Sequence, residues 1–214
     1  NRKGMKVGIT IDGVIRDFIT KFESVYDKYH PVDIDEEEEE TEELPERDIK
    51  TLDLLDYFEF SGGTKELNEF MYVDAALEIF GHAGEVKLNS VEHLNQLHNI
   101  IEDLGHTPIV ISKELNNSKP ATLFFLSKLS SKINNIIFVR DYDKKWDHVD
   151  ILITANPETL KSKTSGKISI KVINEYNKNI DSDYTLVDLK ELLDDRNTLE
   201  KILSTETVEF EDIN

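Results

Sequence analysis

The sequence predicts an α/β fold of the Rossmann-like kind, a mostly parallel sheet flanked by helices. Three observations carry this. Short β-branched runs such as Pro108–Ile111, Ile136–Val139, Ile151–Ile153 and Ile168–Val172 are apolar throughout, as strands covered on both faces must be. Between them lie stretches whose apolar residues recur at threes and fours, the period of a helix face. The two kinds of segment alternate along the chain, which favours parallel strands joined by helical crossovers.

Taken in order, Met5 to Ile11 reads as the first buried strand, followed by Asp12-Gly13 as a turn. Ile15, Phe18, Ile19, Phe22, Val25, Tyr26 and Tyr29 then mark one helix face, and His30-Pro31 ends it. From Asp33 to Glu43, nine of eleven residues are acidic, the composition of a solvated, self-repelling segment. Short amphipathic pieces follow around Leu52–Phe58 and Leu67–Val73, separated by Gly62-Gly63, with no long helix possible across Gly81 and Gly84. Val91, Leu94, Leu97, Ile101 and Leu104 form a helix stripe that Gly105 stops. After Pro108–Ile111 a helix opens at Ser118-Lys119-Pro120, and a last strand is expected over 184–187. One closing helix starts near Asp188 and carries Leu189, Leu192, Leu193 and Leu199. The organisation expected is a core of 1–31 and 91–204, an acidic loop and helical insertion over 32–90, and an acidic tail over 205–214.

Composition excludes several functions. The 214 residues carry 25 Lys+Arg against 44 Asp+Glu, a net charge of −19 that repels nucleic-acid phosphates. Without the acidic run the net is still about −10, so the partners expected are other proteins, those with basic surfaces included, or further copies of this chain. There is no cysteine, hence no disulfide, thiolate metal site or Cys nucleophile. No run approaches the roughly 18 apolar residues of a membrane span, and no charged-then-apolar leader opens the sequence. A cytoplasmic protein is expected. The six histidines show no ligand spacing, and Trp146 is expected to pack in the core.

In a parallel sheet the chemistry lies beyond the carboxyl ends of the strands. Those ends supply Thr10, Asp12 and Gly13; Ser112 and Lys113; Arg140, Asp141, Asp143 and Lys144; Thr154, Ala155 and Asn156. Hydroxyls, lysines and a carboxylate meeting there suit an oxyanion. Neither a P-loop nor a dinucleotide fingerprint is present. Each residue also has a plainer use: Asp12 in the turn, Ser112 as a cap, Lys144 on the surface.

The stretch Thr10-Ile11-Asp12-Gly13-Val14-Ile15-Arg16-Asp17-Phe18 resembles the first motif of the haloacid dehalogenase-like phosphohydrolases, the 5′(3′)-deoxyribonucleotidase type in particular. Pro108–Ser112 is similar to that family's second motif, Lys144 falls at its third, and Asp150 to Pro157 at its fourth. The resemblance spans about residues 5–195 and implies a small helical cap between the first two motifs, where the extra helices lie. It implies an aspartate nucleophile at Thr10, an acid/base at Asp12, and Mg²⁺-holding acids at Thr154 and Ala155. Only Asp12 matches. A neutral hydroxyl needs a base before it attacks phosphorus, and Mg²⁺ favours carboxylates.

The function expected is therefore a catalytically inactive phosphatase-like module, structural or protein-binding, without metal or other cofactor. The Asn-, Lys-, Ile- and Glu-rich style also resembles proteins of large tailed phages, which suggests a virion or phage-assembly component. Two alternatives stand beside it. One is an active nucleotidase or phosphatase with a rearranged site, in which Asp12, Asp17, Asp141 and Asp143 supply the nucleophile and the Mg²⁺ ligands. The other binds a nucleotide or phosphate without hydrolysis, through Asp12, Ser112, Lys113 and Lys144.

Overall fold

A computed structural model describes residues 4–31 and 46–205. The acidic run over 33–43 and nearly all of the expected tail lie outside the described residues.

Six strands make one sheet: β1 (Lys6–Ile9), β4 (Thr107–Lys113), β5 (Ile136–Val139), β6 (Ile151–Thr154), β7 (Ile168–Val172) and β8 (Tyr184–Leu186). Their order is β5-β4-β1-β6-β7-β8, and every pairing is parallel. The chain passes from β1 to β4 and β5 on one side, then returns to β6 on the other. Strand order thus reverses at β1, which opens a crevice at its carboxyl end.

Helices α3 (Ser90–Asp103), α4 (Ser118–Lys128), α6 (Leu189–Asp194) and α7 (Arg196–Leu203) contribute Leu94, Leu97, Phe125, Leu192 and Ile202 to the main core. A separate cluster joins Ile109, Ile111 and Leu152 of the sheet to Trp146 and Val149. The closing helix of the sequence reading is two helices. Asp195 ends α6 and then caps α7, its carboxylate accepting from the Thr198 backbone N–H at 3.1 Å.

The segment after β1 also departs from expectation. Helix α1 runs Phe18–Tyr29, three residues shorter at its start than the apolar spacing from Ile15 implied. Val14, Ile15 and Arg16 all donate backbone N–H to the Ile11 carbonyl, closing a tight turn. Gly13 sits in it at φ 78°, and a Cβ there would stand 2.8 Å from that of Ala155. Arg16–Asp17 (β2) then pairs antiparallel with Gly84–Glu85 (β3), and Asp17 caps α1.

This two-stranded neck is where the chain leaves and re-enters the core. Phe22, Val25 and Tyr26 of α1 pack with Phe58, Phe60, Leu67, Phe70, Ile79 and Phe80. Helix α1 therefore packs with the inserted helices, although it precedes residue 32 in the chain. The insertion contains α2 (Thr64–Glu69) and two wide i→i+5 turns, Phe70–Asp74 and Leu77–Gly81. Helix α5 (Pro157–Lys161) starts at the carboxyl end of β6.

Candidate anion site

A cavity of about 200 Å³ lies between the carboxyl ends of β1, β4 and β6 and the insertion. Thr10, Asp12, Ser112, Lys113, Tyr142, Lys145 and Asn156 form its sheet-side wall.

Thr10 and Thr154 extend neighbouring strands, as the Thr10 backbone N–H bonded to the Ile153 carbonyl shows. Their side chains point together: the Thr10 hydroxyl donates to the Thr154 hydroxyl at 3.1 Å, and the Asn156 N–H donates to Thr154 at 3.2 Å. Both threonines are buried. Ala155 does not face this cavity. It is packed beneath Gly13, and its carbonyl accepts from Asn177 at 2.9 Å.

Asp12 is partly exposed and reaches the cavity, but its carboxylate is engaged. Arg16 donates Nε to Oδ1 at 2.6 Å and Nη2 to Oδ2 at 3.1 Å, a bidentate pair. The Arg16 side chain is fully buried. The same Nη2 donates to Oε1 of Glu114, also fully buried, at 3.1 Å. Nη1 donates to the Thr122 hydroxyl at 2.8 Å and to the Phe80 carbonyl at 3.1 Å. Glu114 Oε1 further accepts from Ser112 at 2.9 Å and Thr122 at 2.7 Å, while Oε2 has no hydrogen-bond partner among the described residues. Burial alone would lower the Arg16 pKa; Asp12 and Glu114 more than offset it and hold the guanidinium charged.

The lysines complete the site. Lys113 is half-buried, with Nζ 4.4 Å from the Tyr142 ring centroid and 5.7 Å from that of Tyr72. Burial lowers its pKa. Lys145 is 4% exposed. Its Nζ lies 5.3 Å from the Tyr142 centroid, and its one hydrogen bond among the described residues is to the Thr159 hydroxyl at 3.5 Å. Burial brings it down to about 8, against the pull of Asp12 and Glu114. The Tyr142 phenol is pushed up to about 12, again mainly by burial.

These placements separate the expected residues. Thr10, Asp12, Ser112 and Lys113 line the cavity together. Ser112 directs its proton to Glu114 and not toward the cavity. Lys144 is exposed and off the wall; Lys145 takes the place expected of it. The tight turn of Tyr142–His148 explains the shift, since three residues per turn put Lys145 on the side of Tyr142. Of the acids that a rearranged metal site would need, Asp141 and Asp143 are exposed and off the wall, while Asp17 caps α1 and faces a neighbouring cavity.

The sequence reading missed Arg16, Glu114, Lys145 and the two tyrosines. The four-residue spacing of Asp12 and Arg16 was a usable sign, as was Glu114 directly after Ser112-Lys113.

Mg²⁺ takes an octahedral set of oxygens, usually from one or two free carboxylates with waters and phosphate. Here Asp12 is already held by a guanidinium, the adjoining strand ends offer hydroxyls, and Lys145 adds a positive charge. No group of three or more His, Cys, Asp or Glu among the described residues could hold a metal. The donor set does not fit Mg²⁺. It does fit an oxyanion, because Arg16, Lys113 and Lys145 outnumber Asp12 and Glu114 in formal charge.

No protein-family model matches the chain, and no curated protein matches it. Solved structures do. One, described as a haloacid dehalogenase-like hydrolase from Burkholderia xenovorans LB400, superposes with a TM-score of 0.56 at 8% identity, covering 92% of this chain and 99% of its own. A haloacid dehalogenase-like family hydrolase from Xanthomonas campestris gives 0.52 at 10% identity, covering 95% and 99%. No helix among the described residues is long and apolar enough to cross a membrane. With its parallel six-stranded sheet and the inserted helices, the chain has the α/β fold of the haloacid dehalogenase-like hydrolases.

Proposed function

We propose that this chain is a non-hydrolysing, phosphatase-like binding module that holds a phosphate-bearing ligand at the carboxyl end of β1 without a metal. The observation that carries the reading is Lys145, a buried amine on the cavity wall whose one hydrogen bond among the described residues is long. Beside it, Lys113 supplies a second cation. A desolvated amine without a counter-ion in contact is unfavourable by itself, and a bound oxyanion would satisfy it.

The absence of turnover follows from Thr10 and Asp12 on the same wall. The Thr10 hydroxyl donates to Thr154, which is not a base. Among the described residues the one carboxylate lining the cavity is Asp12, and Arg16 occupies both of its oxygens. Phosphoryl transfer relies on an activated nucleophile and on neutralising the charge that develops. The lysines supply charge, but nothing on the wall activates the nucleophile.

The test pairs two assays. The chain is incubated with p-nitrophenyl phosphate and deoxynucleoside monophosphates in Mg²⁺, and its melting temperature is followed against millimolar inorganic phosphate. No turnover and a rising melting temperature are expected. Turnover that disappears in Asp12→Asn overturns inactivity, and a flat melting temperature overturns the binding role.

A further inference from the structure

The two walls of the cavity differ in chemistry. The strand ends and the turn after β5 present Asp12, Lys113, Lys145 and Asn156. The insertion presents Leu52, Leu54, Leu67 and Met71, with the exposed amide of Asn68 at the edge. A small ligand anchored by its charge to the first wall must lay its remaining atoms against the second.

We propose that the ligand is a phosphomonoester of an apolar or aromatic alcohol, its phosphate between Lys113 and Lys145 and its organic part against Leu52, Leu54, Leu67 and Met71. This rests on the anion reading above and adds the class of the organic group. A polyhydroxylated group pressed on those leucines would lose water without gaining hydrogen bonds, whereas an apolar one loses only unfavourable hydration. The neighbouring space extends the same character. Phe18 and Leu52 also line a second cavity of about 280 Å³, whose wall includes Ile19, Val172, Ile173 and Val187. Ile173 and Val187 are 42% and 60% exposed, so that cavity has an apolar rim at the surface. An organic group too long for the first cavity has an apolar surface to continue along.

The experiment is a calorimetric titration of the full chain at pH 7 with phenyl phosphate, glucose 6-phosphate and inorganic phosphate. Phenyl phosphate should bind at least tenfold more tightly than glucose 6-phosphate. In Leu52→Asn, a half-buried position, that ratio should shrink; in Asn68→Leu, on the exposed edge, it should grow. Glucose 6-phosphate binding as tightly as phenyl phosphate overturns the apolar class while the anion reading survives. A ratio that neither variant moves overturns the placement of the organic group. If none of the three ligands binds, the anion reading falls and this inference with it.

Discussion

Arg16 grips Asp12 through two hydrogen bonds, 2.6 Å and 3.1 Å long, while lying wholly out of solvent between the rings of Phe80 and Phe125. A guanidinium so placed is a fixed cation beside the carboxylate of the turn. It also holds Glu114, so the two acids depend on one partner.

That dependence can be measured. Arg16→Met leaves Glu114 buried with no counter-charge, and breaking such a pair destabilises by about 3–5 kcal/mol. Adding Glu114→Leu should recover most of the loss, because two apolar side chains then fill the space. Denaturant unfolding of both single variants and the double variant checks this. Additive losses in the double variant would show that the pair is not coupled.

Metal affinity should be absent in the parent chain and creatable. Thr10→Asp with Thr154→Asp puts two carboxylates where two hydroxyls now stand 3.1 Å apart. Their repulsion should lower the melting temperature, and Mg²⁺ should restore part of it. Ala155→Asp is no substitute, since that side chain lies under Gly13 and away from the cavity. Equal Mg²⁺ response in the parent and the double variant, measured by thermal melting, contradicts the account of the donor set.

Anion binding should weaken as pH rises. Lys145 titrates at about 8 because it is buried, so it is charged below that pH and neutral above it. Affinity for the phosphate dianion should therefore fall as pH rises through about 8 to 9. A bound dianion favours the protonated amine, so binding near pH 8 should take up a fraction of a proton. Calorimetry in buffers of different ionisation enthalpy reads that uptake directly.

The same lysine should oppose folding at neutral pH. Its folded pKa lies below the ordinary lysine value of 10.5, so the unfolded chain holds the proton more tightly. This burden is full below about pH 8 and is relieved as pH rises from there toward 10.5. Lys145→Met should raise stability at pH 7 by about 1–3 kcal/mol, as replacing a poorly paired buried charge commonly does, while abolishing the phosphate-induced rise in melting temperature. Loss of stability in this variant would mean that the amine is better satisfied than its 3.5 Å bond to Thr159 suggests.

Much of the sheet was legible because its strands are short, apolar and β-branched. Ile136–Val139 and Ile168–Val172 have the bounds that their composition marks. The helix stripe ending at Gly105 was equally plain, with that glycine at φ 85°. Ile15 misled because apolar spacing does not distinguish a helix turn from the hydrogen-bonded turn on the Ile11 carbonyl. The helix near the end was read as continuous because Asp195 can sit within a helix as well as cap one.

The site was legible where it lies on strands and obscure where it lies on turns. Thr10, Ser112 and Thr154 follow from strand ends alone. The choice between Lys144 and Lys145 depends on the phase of an irregular turn, which two adjacent lysines do not reveal. Arg16 was not singled out because its burial comes from Phe80, Phe125 and Glu114, all distant in sequence.

Trp146, fully enclosed, donates its indole N–H at 2.8 Å to the carbonyl of Thr159, the residue whose hydroxyl meets Lys145. It is the only tryptophan in the chain. Its ultraviolet emission therefore originates one residue from the amine that lines the cavity. Light from a single fluorophore can thus follow occupancy of the cavity in the untagged protein, without a dye.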